Sequence, residues 1–247
     1  MTRIVNNCVA LVCLCLFWGQ SLRAADASHS EQIKWGNESV FNEEHNTLGL
    51  FSGVLGGQIV LAGGTSDDYS RWGRNAVCLS ENAGFALYED VLSKPLAYGA
   101  SITLSDGILC IGGRDSSQCY KDVFLVTMQQ GKLNVSEDWP PLPFPLSNAA
   151  GALLDNKVYL FGGRKSVSPS RLSDSFFVLD LSNKSRGWKE LPGYPGCVRE
   201  DAILVVQNNG VSPCLYLLGG QTETEEGLSS CLTDGYVYNP QLGKWSS

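Results

Sequence analysis

Val158-Tyr159-Leu160-Phe161-Gly162-Gly163-Arg164 is a short apolar run that stops at two consecutive glycines. The run has the length of one strand. The glycines mark a place where the backbone turns sharply or packs closely against another backbone. The same construction returns three times, as Ile59 to Ala62 before Gly63-Gly64, Ile108 to Ile111 before Gly112-Gly113, and Leu215 to Leu218 before Gly219-Gly220. The spacings are 49, 50 and 57 residues, so this is a repeat. Nine to fourteen residues past each pair, Asn or Asp introduces a second strand-like run: Asn75-Ala76-Val77, Asp122-Val123-Phe124, Asp174-Ser175-Phe176 and Asp234-Gly235-Tyr236. Three units then reach a tryptophan, at Trp139, Trp188 and Trp245, and two continue to Leu142-Pro143 and Leu191-Pro192.

A strand, a double glycine, a polar loop, a second strand and a tryptophan at a period near 50 form the kelch pattern, which builds one four-stranded propeller blade per repeat. The tryptophan supplies large apolar area between blades. The predicted fold is therefore all-β, a kelch-type β-propeller of four-stranded antiparallel blades. Its repeats fall at approximately 48–92, 95–143, 145–192 and 198–247. Gln32-Ile33-Lys34-Trp35 precedes the first repeat without a blade of its own, and 32–36 reads as a lone closing strand.

Composition narrows the function. The 247 residues are 43% hydrophobic and carry a formal charge of −7 with no basic tract, so nucleic acid is not an expected partner. His29 and His45 are the only histidines and both precede the first double glycine. That argues against a multi-histidine metal site, including a copper centre, and no metal is expected. Arg3, the apolar run Cys8 to Trp18 and Ala25-Asp26-Ala27 read as a secretory signal peptide over 1–27. The remaining 28–247 is expected to be exported, periplasmic or extracellular, and free of the membrane after cleavage. Six cysteines remain in that part, compatible with up to three disulfides or with small buried thiols.

Several stretches are more particular than a generic repeat requires: Phe51-Ser52-Gly53-Val54, the run Ile59 to Gly64, Pro95-Leu96-Ala97-Tyr98-Gly99-Ala100, and Pro143 to Ala152. From about Leu48 to Trp245 they resemble the N-acetylneuraminate epimerase (sialate mutarotase) family in its cyclically permuted branch. The resemblance implies an exported six-bladed kelch propeller that interconverts the anomers of free sialic acid without a cofactor. It makes the expected partner a small sugar acid. The family motif Gly-Glu-x-(Lys/Arg)-Pro-Gly-x-Arg-Thr, which would hold the catalytic Glu and Arg, is not in this sequence. Pro195-Gly196-Cys197-Val198-Arg199 echoes it only in part. The corresponding expectation is a chain truncated before that motif. The alternative is a non-catalytic kelch module that binds carbohydrate or protein.

Anomerisation takes a base for the anomeric hydroxyl and an acid for the ring oxygen, and Arg holds a carboxylate well. The innermost strand of a propeller blade lines the channel, so candidates lie one strand ahead of each double glycine. Tyr98 is 14 residues before Gly112, and Asn148 is 14 before Gly162. With about five extra residues allowed in the fourth repeat, Glu200 takes the equivalent place and is the catalytic candidate. Arg199, beside it, is a substrate-binding candidate with Tyr98 and Asn148. The Arg199-Glu200-Asp201 triplet is the leading candidate for ligand contact; the alternative is a solvated charge cluster at a strand start. Arg114 and Arg164 each follow a double glycine. They either ring the channel mouth and attract an anionic sugar or pair with an Asp of their own loops, such as Asp115 or Asp174. Glu223 to Glu226 reads as an exposed acidic loop.

Overall fold

A computed structural model describes residues 48–80, 84–224 and 227–247. The expected signal peptide, the closing strand at 32–36 and both histidines lie outside the described residues. The first blade is β1 (Leu48–Leu55), β2 (Gln58–Thr65), β3 (Ala76–Ser80) and β4 (Gly84–Tyr88), hydrogen-bonded in that order. The second is β5 (Ala100–Thr103), β6 (Ile108–Ile111), β7 (Val123–Gln129) and β8 (Lys132–Ser136). The third contains β9 (Ala150–Leu154) and β10 (Lys157–Phe161), then a ribbon of β11 (Arg164–Ser166) and β12 (Arg171–Leu172). Its sheet is completed by β13 (Phe176–Asp180) and β14 (Lys189–Glu190). The fourth repeats that plan with β15 (Ile203–Asn208), β16 (Pro213–Leu218), the ribbon β17 (Gln221–Glu223) and β18 (Ser229–Cys231), then β19 (Gly235–Asn239) and β20 (Lys244–Ser246). All pairings are antiparallel. The predicted four-stranded blades of a kelch propeller are present.

The strands follow from alternation and turn chemistry. In β1, Phe51, Gly53 and Leu55 are buried while the residues between them are half-exposed, the period of two that a strand requires. Tight hairpins close at Gly56-Gly57, Gln130-Gly131 and Asp155-Asn156, where both central residues have positive φ. That is the turn whose twist matches the flanking strands.

Each sheet presents one face to each neighbour. Phe51, Val60, Ala62 and Cys78 of the first blade pack with Ile108, Cys110, Phe124 and Val126 of the second. Ile102, Leu109, Ile111 and Leu125 on the second blade's other face meet Val158, Leu160, Phe177 and Leu179 of the third. The third interface is aromatic. There Phe161 and Phe176 pack with Tyr194, Tyr238 and Trp245 over Leu204, Leu215 and Leu217.

The double glycines are the clasps between blades. A Cβ on Gly63 would lie 2.2 Å from the Leu96 carbonyl oxygen of the next blade, and the Gly64 N–H donates to that oxygen at 2.9 Å. The second blade repeats this contact with Leu146, through Gly112 and a bond of 2.7 Å from Gly113. The third repeats it with the carbonyl of Arg199, through Gly162 and a bond of 2.8 Å from Gly163. The outer strands have their own tie, since the Trp188 indole N–H donates to the Pro140 carbonyl at 3.0 Å and that of Trp245 to Pro192 at 3.3 Å. The six cysteines of the described residues are free thiols; Cys78, Cys110, Cys119 and Cys214 are buried.

Candidate functional site

The four chain segments entering the innermost strands are built alike. Gly49, Tyr98, Asn148 and Asp201 all have left-handed φ, between 53° and 65°. They are linked by backbone across the blades: the Tyr98 N–H donates to the Gly49 carbonyl at 2.7 Å, Asn148 to Tyr98 at 2.6 Å, and Asp201 to Asn148 at 3.0 Å. The result is one hydrogen-bonded belt around the channel mouth. Glycine is needed at its first position because a Cβ on Gly49 would lie 2.8 Å from the Tyr98 ring. Left-handed backbone is unusual for a tyrosine, and such strain collects at functional sites.

The residue before each belt position pairs with the residue after a double glycine: Leu48 with Thr65, Ala97 with Arg114, Ser147 with Arg164, and Glu200 with Gln221. This register corrects one sequence assignment. The fourth repeat carries four extra residues between belt and glycine pair, not five, so Asp201 holds the place of Tyr98 and Asn148, and Glu200 lies one position earlier.

Arg114 and Arg164 reach the mouth by equivalent routes but meet different partners. The Arg114 guanidinium lies 4.7 Å from the Tyr98 ring centre and 5.1 Å from that of Trp72, which itself packs edge-on to Tyr98. It forms no ion pair among the described residues. Asp115 instead accepts from Ser117, Gln118 and Tyr120; although burial opposes it, these bonds hold its carboxyl down to about 2. Arg164 grips Glu200 with two nitrogens, one at 2.8 Å, and reaches Glu223 at 3.0 Å. Ser170 bonds both Arg164 and Glu223. The pairing of these arginines with Asp115 and Asp174 does not form, because Arg114 packs on the Tyr98 and Trp72 rings and Arg164 is engaged by Glu200 and Glu223. Glu223 belongs to β17 and to this network, not to a simple exposed acidic loop.

Asp201 accepts from the Asn148 amide at 2.8 Å. It is open to solvent on one side, yet burial by its surroundings pushes its carboxyl up, the Asn148 bond opposes the shift, and Glu200 adds to it. Burial, with a hydrogen bond that the Tyr98 hydroxyl donates to Tyr69, also pushes that hydroxyl up. The mouth thus brings the Asp201 carboxyl near an arginine that holds no carboxylate among the described residues, and the charges of Arg164 and Arg114 both oppose the upward shift that burial causes.

Arg199 is elsewhere. Its side chain is fully buried and donates to Asp234 at 2.7 and 2.9 Å, to Tyr194 at 2.9 Å and to the Gly219 carbonyl at 2.8 Å. With its donors directed into protein, Arg199 is a structural cation of the third interface and not a ligand contact. Sequence reasoning missed Tyr69, Trp72, Ser170 and Glu223 as members of the site, and it placed Asp201 in the candidate triplet without giving it the belt position. The signal for Asp201 was the strand pairing across the insertion, while the others arrive on loops and ribbons outside the repeat pattern. A cavity of about 500 Å³ opens at the opposite end of the third and fourth blades, between Lys157, Arg186, Lys189 and Tyr238. It contains none of the belt residues.

Residues 139–247 match the family model described as N-acetylneuraminate epimerase. Over 112 residues the chain is 30% identical to the N-acetylneuraminate epimerase of Yersinia pestis (strain Pestoides F), covering 44% of this chain and 26% of that protein. It is 31% identical over 110 residues to the protein of that name from Haemophilus influenzae (strain PittEE), with the same coverage. A kelch domain-containing protein of Vibrio cholerae is 32% identical over 107 residues, covering 43% of this chain and 27% of that one. The match spans about a quarter of the length of these relatives. A solved structure, that of YjhT, superposes with a TM-score of 0.62 at 13% identity, covering 80% of this chain and 68% of the other, which establishes likeness of fold. Of the stretch from Leu48 to Trp245 over which the sequence resembles that family, the family model matches residues 139–247, from the end of the second blade to the end of the fourth.

Proposed function

We propose that the channel mouth binds a sialic-acid-type sugar and interconverts its anomers. The observation that carries the reading is Arg114, stacked on the Tyr98 and Trp72 rings with no ion pair among the described residues, beside the belt that also carries Asp201. Arg114 holds the sugar carboxylate through its planar fork of donors, while Tyr98 and Trp72 keep the guanidinium in place. The Asp201 carboxyl serves as the acid, giving a proton to the ring oxygen as the bond from that oxygen to the anomeric carbon breaks. A water at the mouth takes the proton of the anomeric hydroxyl, and the open keto form results. Rotation presents the other face of the carbonyl, and closure runs the same transfers in reverse. A positioned acid contributes about 10²–10⁴-fold to such a step.

A second reading, binding without turnover, is favoured by one feature. Glu200, the catalytic candidate of the sequence, has both carboxylate oxygens engaged by Arg164. The test for both is proton NMR of sialic acid anomers freshly released by a sialidase. Equilibration faster than buffer, lost in Asp201→Asn, supports turnover at this mouth. Line broadening of the sugar without acceleration supports binding alone, and neither effect with folded protein overturns both readings.

A further inference from the structure

The third blade interface departs from the first two at one pair of repeat positions. One member lies three residues before a double glycine: Val60, Leu109 and Tyr159 in the first three blades. The other lies in the following blade, paired across its sheet with the residue four before that blade's glycines: Val126, Leu179 and Tyr238. Val60 and Val126 belong to the first interblade core, and Leu109 and Leu179 to the second. In the third, two tyrosines take these places with ring centres 6.4 Å apart. The residues are only 4% and 3% exposed, yet neither hydroxyl makes a hydrogen bond to another described residue. Among the described residues no side-chain nitrogen or oxygen is buried without a partner, so both hydroxyls open into the cavity of about 500 Å³ that these tyrosines line. Burial, with Tyr238, Asp155 and Asp180 nearby, pushes the Tyr159 hydroxyl up to about 12, so it stays neutral and offers both a donor and an acceptor.

Strand register builds the walls. Lys157 and Tyr159 share one face of β10, where Lys157 pairs across with Asp180 on β13, and Val178 pairs with both Tyr159 and Lys189. Arg186 and Asn183 arrive on the short turn Leu181–Arg186, and Gln241 on the hairpin after β19. Lys157, Arg186 and Lys189 make no ion pair among the described residues. Against these three cations the lining sets two carboxylates, Asp155 and Asp180, which leaves one positive charge in excess. The walls belong to the third and fourth blades, whose four-stranded sheets are both described, and none of the belt residues is among them.

We propose that this cavity binds a free sugar acid, one carboxylate on a body carrying several hydroxyls, at a site separate from the channel mouth. The cations at the rim hold the carboxylate. The two phenols and the amides of Asn183 and Gln241 pair with hydroxyls, for which each offers both a donor and an acceptor. Val178 and Leu191 supply an apolar floor for the C–H face of the ring. Asp155 and Asp180 accept from sugar hydroxyls and repel a polyanion such as a nucleotide, so the site selects a single charge. The volume is that of a cleft for one small molecule.

The experiment is a calorimetric titration of Arg114→Ala with D-glucuronate, and with D-glucose as the uncharged control, so that carboxylate binding at the mouth does not contribute. The proposal expects the acid to bind at least about tenfold more tightly than the neutral sugar. In the same background Lys157→Gln should weaken the acid by about tenfold. Tyr159→Phe, which keeps the ring and removes only the hydroxyl, should weaken it by about three- to tenfold. Lysine acetylation of the unsubstituted chain gives a readout of position that needs no variant to fold. D-glucuronate at about ten times its Kd should slow acetylation of Lys157 and Lys189 by about tenfold and leave Lys132, on β8 of the second blade, unchanged. Equal binding of acid and neutral sugar, an affinity indifferent to both substitutions, binding that requires Arg114, or folded protein that shows no protection of Lys157 and Lys189 overturns the proposal.

Discussion

Arg164 and Arg199 flank the same blade interface, and each is paired with carboxylates, but solvent separates their roles. The Arg164 side chain is 19% exposed and shares a mouth open to water with Glu200, Glu223 and Ser170. Arg199 is 0% exposed and fixed at its donors by Asp234, Tyr194 and the Gly219 carbonyl. Its own carbonyl accepts the clasp from Gly163, so one residue ties the third blade to the fourth through both backbone and side chain. A guanidinium that keeps access to water contributes little to folding and remains available for ligand chemistry. A desolvated one is bound to the fold that surrounds it.

The largest expected effect comes from breaking the buried pair. Asp234→Ala strands the Arg199 cation in the core and should cost about 3–5 kcal/mol in a denaturant titration. Arg199→Met should cost less, because the Asp234 side chain is 38% exposed and regains water when its partner is gone. If the two variants were equal, the burial argument would be wrong. Arg164→Ala should cost about 1 kcal/mol or less, and added salt should shrink the difference from wild type.

The pH dependence sharpens the comparison. The hydrogen bonds from Arg199 hold the Asp234 carboxyl below its ordinary range, so its stabilisation is present above the unfolded carboxylate value and lost as pH falls through the folded one. Asp201 is shifted the other way, chiefly by burial, so its unfavourable contribution grows as pH rises above about 4. Asp201→Asn should therefore be more stable than wild type at neutral pH and equal to it at low pH. Thermal melts across that range check the sign. The smallest effect is expected from Arg114→Lys. It changes stability by less than about 1 kcal/mol, while the fluorescence of Trp72 shifts as the flat guanidinium leaves the ring.

The frame was legible because each blade must place glycine where the next backbone approaches. Gly63, Gly112 and Gly162 mark that approach whatever surrounds them. Their tryptophans, Trp188 and Trp245, were legible for the same reason, since each ties an outer strand to the blade before it. Tyr98 and Asn148 were found by counting back along unvaried hairpins, while the count missed by one where the turn between β15 and β16 lengthens. The partners of the arginines were not legible at all. Arg114 and Arg164 share a repeat position, and only the loops and ribbons that fold over the mouth decide that one meets rings and the other carboxylates. Arg199 had the sequence context of a ligand contact and the surroundings of a core residue.

The most direct measurement on the central claim is calorimetric titration of the chain with N-acetylneuraminate and with its methyl ester, which has no charge at that position. The account predicts that the acid binds at least about tenfold more tightly than the ester, the scale of one lost charge-assisted hydrogen-bond pair, and that Arg114→Ala removes the difference. Equal binding of acid and ester, or a preference that survives in Arg114→Ala, would contradict it.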